Sequence, residues 1–93
     1  MPTRDEIKPK VIDKIASVVH RKPETIEEKD RLFEDLGMGP TVRKAMAMPY
    51  TKISEEFRGS PVTQSDAGNL KTVAASIDLV TKAANDKRES GEV

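Results

Sequence analysis

Aliphatic residues recur at helical spacing near the start of the chain. They are Ile7, Val11, Ile12, Ile15, Val18 and Val19. This spacing places them on one face of an amphipathic helix. Thr3 and Glu6 have the arrangement of a capping box, in which a hydroxyl and a glutamate three residues later satisfy the first backbone N–H groups. Because no stretch alternates cleanly over more than four residues, the sequence predicts an all-α fold whose first helix ends before Pro23.

The next segment, residues 20–37, is predicted to be a long ordered loop. Its apolar anchors are expected to be Ile26, Leu32, Phe33 and Leu36. Gly37 and Gly39 suit positive φ or a close backbone approach. Loops of this length in small domains are usually functional or are packed down by their own side chains.

A second helix is predicted to begin near Gly39 and Pro40, since proline is favoured at the first helical position. Its apolar face is expected to contain Val42, Ala45, Met46, Ile53 and Phe57. Pro49 interrupts this run and predicts a kink or a break, with segments near 41–48 and 50–57.

Two shorter signals complete the helical pattern. Residues 63–67 are expected to form one helical turn, and Thr72 is a plausible cap for a last helix that buries Val73, Ile77 and Val80. The chain of 93 residues is long enough for one domain. We expect that domain to span residues 1–83 and a flexible polar tail to span 84–93.

Composition excludes several classes of function. The chain has no cysteine and one histidine, His20, which predicts no metal site and no thiol chemistry. Sixteen basic residues balance sixteen acidic ones, so nothing draws the whole chain towards nucleic acid. No apolar run is long enough for a membrane span. Residues 1–10 lack the apolar core of a signal peptide, and we expect a cytoplasmic location.

Four stretches in this order resemble the acyl carrier protein family. The first is the opening helix through Val19, and the others are the segments 22–26, 32–37 and 69–78. The third, Leu-Phe-Glu-Asp-Leu-Gly, is similar to the family's approach to its modified serine. The resemblance implies a small four-helix bundle of acyl-carrier-protein type, with its second helix kinked or split near Pro49.

The sequence departs from that family at the attachment position. The family places Asp-Ser-Leu after this loop, and its serine carries 4′-phosphopantetheine. The corresponding residues here are Gly39, Pro40 and Thr41. Because proline has no hydroxyl, no cofactor is expected. An alternative count from Phe57 reaches Arg43, which has no hydroxyl either. A working carrier modified at Thr41 is the alternative hypothesis.

The second departure is the charge of the second helix. In the family this helix is acid-rich and docks basic enzymes. Here residues 38–54 contain Arg43, Lys44 and Lys52 and no acidic residue. We therefore expect a non-enzymatic module that binds a protein with an acidic docking surface through these three residues, within lipid or polyketide-type metabolism. An ordinary solvated face is the alternative explanation for these charges.

Three further possibilities stay open at this stage. The methionines at 38, 46 and 48 suit core packing, or a groove that accepts an apolar acyl ligand. Arg43, Lys44 and Lys52 also suit a small nucleic-acid-binding domain, although the neutral net charge argues against it. An enzyme is the weakest class, because the sequence contains no motif that supplies a nucleophile, a metal site or an acid/base pair.

Overall fold

The computed structural model describes residues 2–86, and within them the regular structure is helical. The elements are α1 (Arg4–Val19), α2 (Pro40–Ala45), α3 (Ala47–Glu56), α4 (Gln64–Gly68) and α5 (Val73–Asn85), with a 3-10 turn at Pro23–Thr25. Among the described residues, β-type pairing is limited to one isolated bridge between Arg31 and Thr72. The predicted all-α class is confirmed.

Helix α1 begins and ends where its local sequence predicts. The Thr3 hydroxyl accepts a hydrogen bond from the backbone N–H of Glu6 at 3.2 Å, and the Glu6 carboxylate accepts one from the N–H of Thr3 at 2.7 Å. These two bonds form the predicted capping box. The helix ends at His20, which adopts the left-handed conformation (φ 59°) and donates its N–H to the carbonyl of Ala16.

Helices α1, α3 and α5 enclose the core, and α2 packs against α4. The core contains fully buried aliphatic side chains from α1 and α5: Ile7, Val11, Ile15, Val73, Ile77 and Val80. Tyr50 of α3 is also fully buried among them. Thr72 caps α5 as predicted, with its hydroxyl accepting the N–H of Ala75.

The second helical region is divided at Met46, and Pro49 lies in the first turn of α3. The first backbone bond of α3 runs from the N–H of Tyr50 to the carbonyl of Met46 at 3.0 Å. Proline at position 49 therefore removes no bond within that helix, because its missing N–H precedes the first donor.

This division changes which side chains of the region are buried. Met46 and Ile53 are buried as expected and Phe57 is half-buried, but Val42 and Ala45 are exposed. The predicted apolar face assumed one continuous helix. A break rotates the residues before it relative to those after it, so their spacing no longer defines one face.

The loop between α1 and α2 is held by three of its four expected anchors. Ile26, Leu32 and Leu36 are buried, but Phe33 is 56% exposed, so its prediction as an anchor is wrong. Leu32 is held in place by its backbone N–H, which donates to the carbonyl of Lys71 at 2.8 Å. In the turn that follows, Leu36 points inward and Phe33 outward. Gly37 has the expected positive φ, 74°. The prediction for Gly39 is wrong, since its φ is −72° and a Cβ there would meet no atom within 4 Å.

Helix α5 continues to Asn85, past residue 84, where the tail was expected to begin. Ala84 is fully buried, and the Asn85 amide donates to the carbonyl of Pro2 at 3.0 Å. These contacts order residues 84 and 85, whose composition alone predicts a loose end. The rest of the predicted tail, 87–93, lies outside the described residues.

Candidate functional site

The start of α2 is the position where the sequence resemblance expects an attached group. Gly39 caps the helix without a side-chain bond, and Pro40 is its first residue. Pro40 and Thr41 are both exposed. Within residues 2–86 the Thr41 hydroxyl makes no hydrogen bond. This helix start therefore presents one free hydroxyl, on the residue after Pro40.

The side chain of Arg43 packs partly beneath α2. It is half-buried, and its Nη1 donates to the carbonyl of Met38 at 3.3 Å. Its Nε is buried without a hydrogen-bond partner among the described residues. Arg43 thus ties α2 to the preceding loop, and only part of its guanidinium faces solvent.

Lys44 lies along the neighbouring helix α4. A Cβ built on Gly68 would lie 2.8 Å from the Cγ of Lys44, so glycine leaves room for the lysine stem. The side chain lines a surface depression with Gln64, Ser65 and Asn69. The aliphatic part of Lys44 covers α4 while its residue remains exposed, as is common for long cationic side chains.

Lys52 belongs to a different surface, on α3. Met48, Thr51, Lys52 and Glu55 lie three or four residues apart and so share one side of the helix. With Ala47 and Val62 they line a shallow depression of about 410 Å³, which we call the Met48 groove. Lys44 and Lys52 therefore line separate depressions.

The three cations of this region share one electrostatic property. Within residues 2–86, neither Arg43, Lys44 nor Lys52 has a carboxylate within 4.0 Å. Elsewhere, Lys8 pairs with Glu28 at 2.9 Å and Lys10 with Glu56 at 3.0 Å. Other cations of the described residues, such as Lys14, Lys71 and Lys82, also have no carboxylate within 4.0 Å, so this property is not particular to α2 and α3. The cations of α2 and α3 thus keep their charge uncompensated by the fold.

A separate ion-pair network joins the start of α1 and the middle of α5 to the loop. Arg4 contacts Glu28 at 2.7 Å and Asp78 at 2.6 Å. Hydrogen bonds from Arg4 and then Lys8 lower the pKa of Glu28 to about 2. Hydrogen bonds to the carboxylates of Glu28 and then Asp78 raise the pKa of Arg4. Each partner lies on a different element, so this network is structural in character.

The remaining titratable side chains considered for chemistry are His20, Glu34 and Asp35, and all three lie at the surface. His20 and Glu34 are exposed. Asp35 accepts the backbone N–H of Arg31 at 2.7 Å and also binds its guanidinium, which lowers the pKa of Asp35. Asp35 thus serves as a hydrogen-bond acceptor within the loop. Among the described residues no group of three His, Cys, Asp or Glu side chains is arranged to hold a metal ion.

Sequence reasoning missed two features of this surface. Met48 is 69% exposed, whereas Met38 and Met46 are buried. The Met48 groove also depends on Val62, which comes from the segment after α3. Met48 lies five residues before the buried Ile53, and this spacing puts the two residues on different sides of α3. The sequence alone did not reveal this, because it does not show where α3 begins.

No protein-family model matches the sequence, and a search of curated proteins finds no significant match. No helix among residues 2–86 is both long enough and apolar enough to cross a membrane. The class that the structure itself defines is a small all-helical domain.

Proposed function

We propose that this chain is a carrier-protein-like module that lacks a prosthetic arm and binds a partner protein through the cations of α2 and α3. The observation that carries the proposal is the start of α2, where Gly39 is the cap and Pro40 the first residue. A proline can begin a helix but cannot accept a phosphopantetheine group, because it has no hydroxyl. The structural role of this position is kept while its chemical role is lost.

The charge of the second helical region supports binding to an acidic partner. Arg43, Lys44 and Lys52 have no carboxylate partner in residues 2–86, and residues 38–54 contain no acid. A surface of this sign accelerates encounter with an acidic partner and disfavours the basic enzymes that bind ordinary carriers. Lipid or polyketide-type metabolism is the proposed setting, since the resemblance points there.

The absence of an arm is tested by intact mass after co-expression with a phosphopantetheinyl transferase. We expect the mass of the unmodified chain. An ordinary acyl carrier protein expressed in the same cells is the control and must gain the phosphopantetheinyl group. A gain on this chain would contradict the proposal.

The docking surface is tested by charge reversal. Arg43→Glu with Lys44→Glu is expected to weaken capture of the partner at least about tenfold, since reversing a charge replaces attraction with repulsion. Because Arg43 is half-buried and Lys44 is exposed, Lys44→Glu alone is expected to disturb the fold less than the double variant, and circular dichroism checks that it stays folded. Lys14→Glu, an exposed cation of α1, is the matched control. Unchanged capture by folded Lys44→Glu and double variants would contradict a docking role.

Thr41 supports a second candidate, a working carrier. Its side chain is exposed and free of hydrogen bonds within the described residues. This candidate predicts a phosphopantetheinyl gain in mass that disappears in Thr41→Ala. The same mass measurement therefore separates the two candidates.

A further inference from the structure

The surface between α2 and α4 contains a depression whose lining carries charge of one sign. Its volume is about 320 Å³, and we call it the Lys44 depression. It is lined by one cation, one glycine and three neutral polar residues: Lys44, Gly68, Gln64, Ser65 and Asn69. Residues 64 and 68, and likewise 65 and 69, lie four apart and so share one side of α4. The lining therefore holds a positive charge and no carboxylate.

The acidic residue of α4 lies outside this depression. Asp66 follows Ser65 in the chain, yet it lines a separate depression together with Leu79 and Lys82. Two successive positions of a helix after Gln64 bring the chain round to a different side, which explains the separation. The negative charge of α4 is thus kept away from Lys44.

This lining, rather than the lack of an ion pair, distinguishes Lys44 from other cations. Lys14 and Lys82 also have no carboxylate within 4.0 Å in residues 2–86. A lining of mixed sign does not select the charge of a ligand, whereas a cation without acidic neighbours favours an anion. Lys14 and Lys82 each share a depression with two acidic residues, which are Asp13 and Glu56 for the first and Asp66 and Asp86 for the second.

The stem of Lys44 packs on Gly68, and this contact positions its ammonium group. A Cβ on Gly68 would lie 2.8 Å from the Cγ of Lys44, 3.4 Å from its Cε and 3.7 Å from its Cδ. The ammonium group, one bond beyond Cε, is therefore presented over α4. The three neutral polar side chains beside it are exposed and make no hydrogen bond within residues 2–86, so their donors are free: Gln64, Ser65 and Asn69.

We propose that the Lys44 depression binds a carboxylate side chain of an acidic partner protein. The Lys44 ammonium pairs with the carboxylate. The Ser65 hydroxyl and the amides of Gln64 and Asn69 donate to its remaining lone pairs. An ionised carboxylate accepts about four hydrogen bonds, which is the number that these groups supply. One cation also matches its single negative charge, whereas a phosphate monoester carries about two at neutral pH.

This inference rests on the proposed function and names the group that the partner presents. The test is an NMR titration of the isotope-labelled full chain with two end-capped peptides. One contains glycine, serine and glutamate, and the other has glutamine in place of each glutamate. We expect the glutamate peptide to shift the signals of Lys44, Ser65 and Asn69 to saturation, and added salt to weaken it. The glutamine peptide has a similar shape without the charge and should leave these signals unchanged.

Uncharged variants separate binding in the depression from a general effect of charge. Gly68→Ala keeps every charge but displaces the stem of Lys44. Gln64→Ala with Asn69→Ala removes two amide donors, and Lys44→Gln removes the cation. Each of these variants is expected to weaken the glutamate peptide at least about threefold, because each loses hydrogen bonds to a charged group.

Lys14→Gln and Lys82→Gln are the matched controls, because each removes an exposed cation that has no ion pair. Both should leave the affinity unchanged. Equal binding of the two peptides, shifts that map away from α4, full affinity in the depression variants, or an equal loss in the controls would each overturn the proposal. Inorganic phosphate that binds more tightly than the glutamate peptide at equal ionic strength would assign the depression to phosphate groups and overturn it as well.

The proposed function fails by different results, which are a gain in mass or undiminished partner capture after charge reversal. If charge reversal weakens capture while Gly68→Ala and the double alanine variant do not, the proposed function stands and the carboxylate site is wrong.

Discussion

Tyr50 is the one aromatic side chain at the centre of the core. It is fully buried, and its hydroxyl has no regular hydrogen bond among the described residues. The nearby Ser76 hydroxyl instead donates to the carbonyl of Thr72 at 3.1 Å. Burial raises the pKa of Tyr50 to about 12, although proximity to Ser76 partly opposes the rise. The ring of Tyr50 therefore stabilises the core by packing, while its hydroxyl is buried without a hydrogen bond of normal geometry.

Tyr50→Phe is therefore expected to be neutral or to stabilise the chain by up to about 1 kcal/mol, because it removes a buried hydroxyl that lacks a partner. Tyr50→Ala should cost about 3–5 kcal/mol, the usual range for emptying a large aromatic site. Urea denaturation of the three chains measures both effects. A loss of more than about 1 kcal/mol in the phenylalanine variant would mean that the hydroxyl is bonded.

Gly59 marks the closest approach between the segment after α3 and the end of α5. A Cβ there would lie within 2.5 Å of the Cα of Ala84 and of the Ser54 hydroxyl. The backbone continues this contact, since the N–H of Ser60 donates to the carbonyl of Ala83 at 2.9 Å. Glycine is needed here for space rather than for an unusual φ.

Gly59→Ala is expected to destabilise the chain by about 1–3 kcal/mol, because two backbone segments must move apart. Gly68→Ala is the matched control. Its Cβ would meet the flexible stem of Lys44, which rotates away at little cost. Thermal unfolding compares the two variants, and equal losses of stability would contradict the tight contact at Gly59.

At the scale of the elements, the junction of α2 and α3 explains how two prolines are tolerated. Pro40 opens α2, and Pro49 lies in the first turn of α3. Pro9 differs, because it lies inside α1 and beyond its first turn. A proline in a helix interior removes a backbone bond and crowds the preceding carbonyl.

Pro49→Ala is expected to change stability by less than about 1 kcal/mol, because no helical bond of α3 is missing at that residue. Pro9→Ala should stabilise by roughly 1–3 kcal/mol, because it restores a bond within α1. Denaturation midpoints of both variants test this. A clear gain for Pro49→Ala would indicate that the proline itself causes the division of the two helices.

The ion pairs of Arg4 connect three elements and make their stability depend on pH. The pKa of Glu28 is lowered from 4.5 to about 2 in the folded chain, so the unfolded chain binds more protons between those values. The contribution of Glu28 is therefore complete above about pH 4.5 and is lost as the pH falls towards 2.

Glu28→Gln should accordingly be less stable than the parent chain near pH 6, and the difference should shrink as the pH approaches 2. Denaturation midpoints across this range measure the difference. Glu24→Gln is the control, because Glu24 is exposed and has no ion pair in residues 2–86. Parallel curves for the parent and Glu28→Gln would contradict the assignment of the network.

At the scale of the whole molecule, one core joins the beginning and the end of the described chain. Helices α1 and α5 pack together, and Asn85 binds the carbonyl of Pro2. Helices α2 and α4 pack mainly on each other. They are short, and short helices have little stability of their own.

The chain offers an internal reporter for this arrangement, because Tyr50 is its only tyrosine and it has no tryptophan. We expect Tyr50 fluorescence and far-ultraviolet circular dichroism to follow the same urea transition, since α1, α3 and α5 share one core. Amide exchange should be fastest in α2 and α4. Separate transitions for the two optical probes would contradict a single cooperative core.

Features that depend on nearby residues were predictable from the sequence. The capping box at Thr3, the cap at Thr72 and the buried spacing of Val73, Ile77 and Val80 all follow from groups within one or two turns. The all-α class follows from the same local patterns. The site residues Gly39, Pro40 and Thr41 were correctly expected at a helix start, but their function stays a proposal.

Features that depend on contacts between distant segments were not predictable. Phe33 and Leu36 are both apolar members of one loop, and the orientation of their turn decides that Leu36 is buried and Phe33 exposed. The predicted cationic surface is likewise divided, since Arg43 turns towards Met38 and Lys44 lies on α4. Spacing along the chain cannot reveal either result, because both depend on where another element lies.

The sequence by itself thus determined the helical class, the caps and the absence of a hydroxyl at position 40, because each depends on local chemistry. Only the tertiary structure decided that α2 and α3 divide at Met46, that Tyr50 fills the centre, and that Met48 and Lys52 share a groove with Val62. The physical reason is that burial and groove formation require surfaces from separate elements to meet.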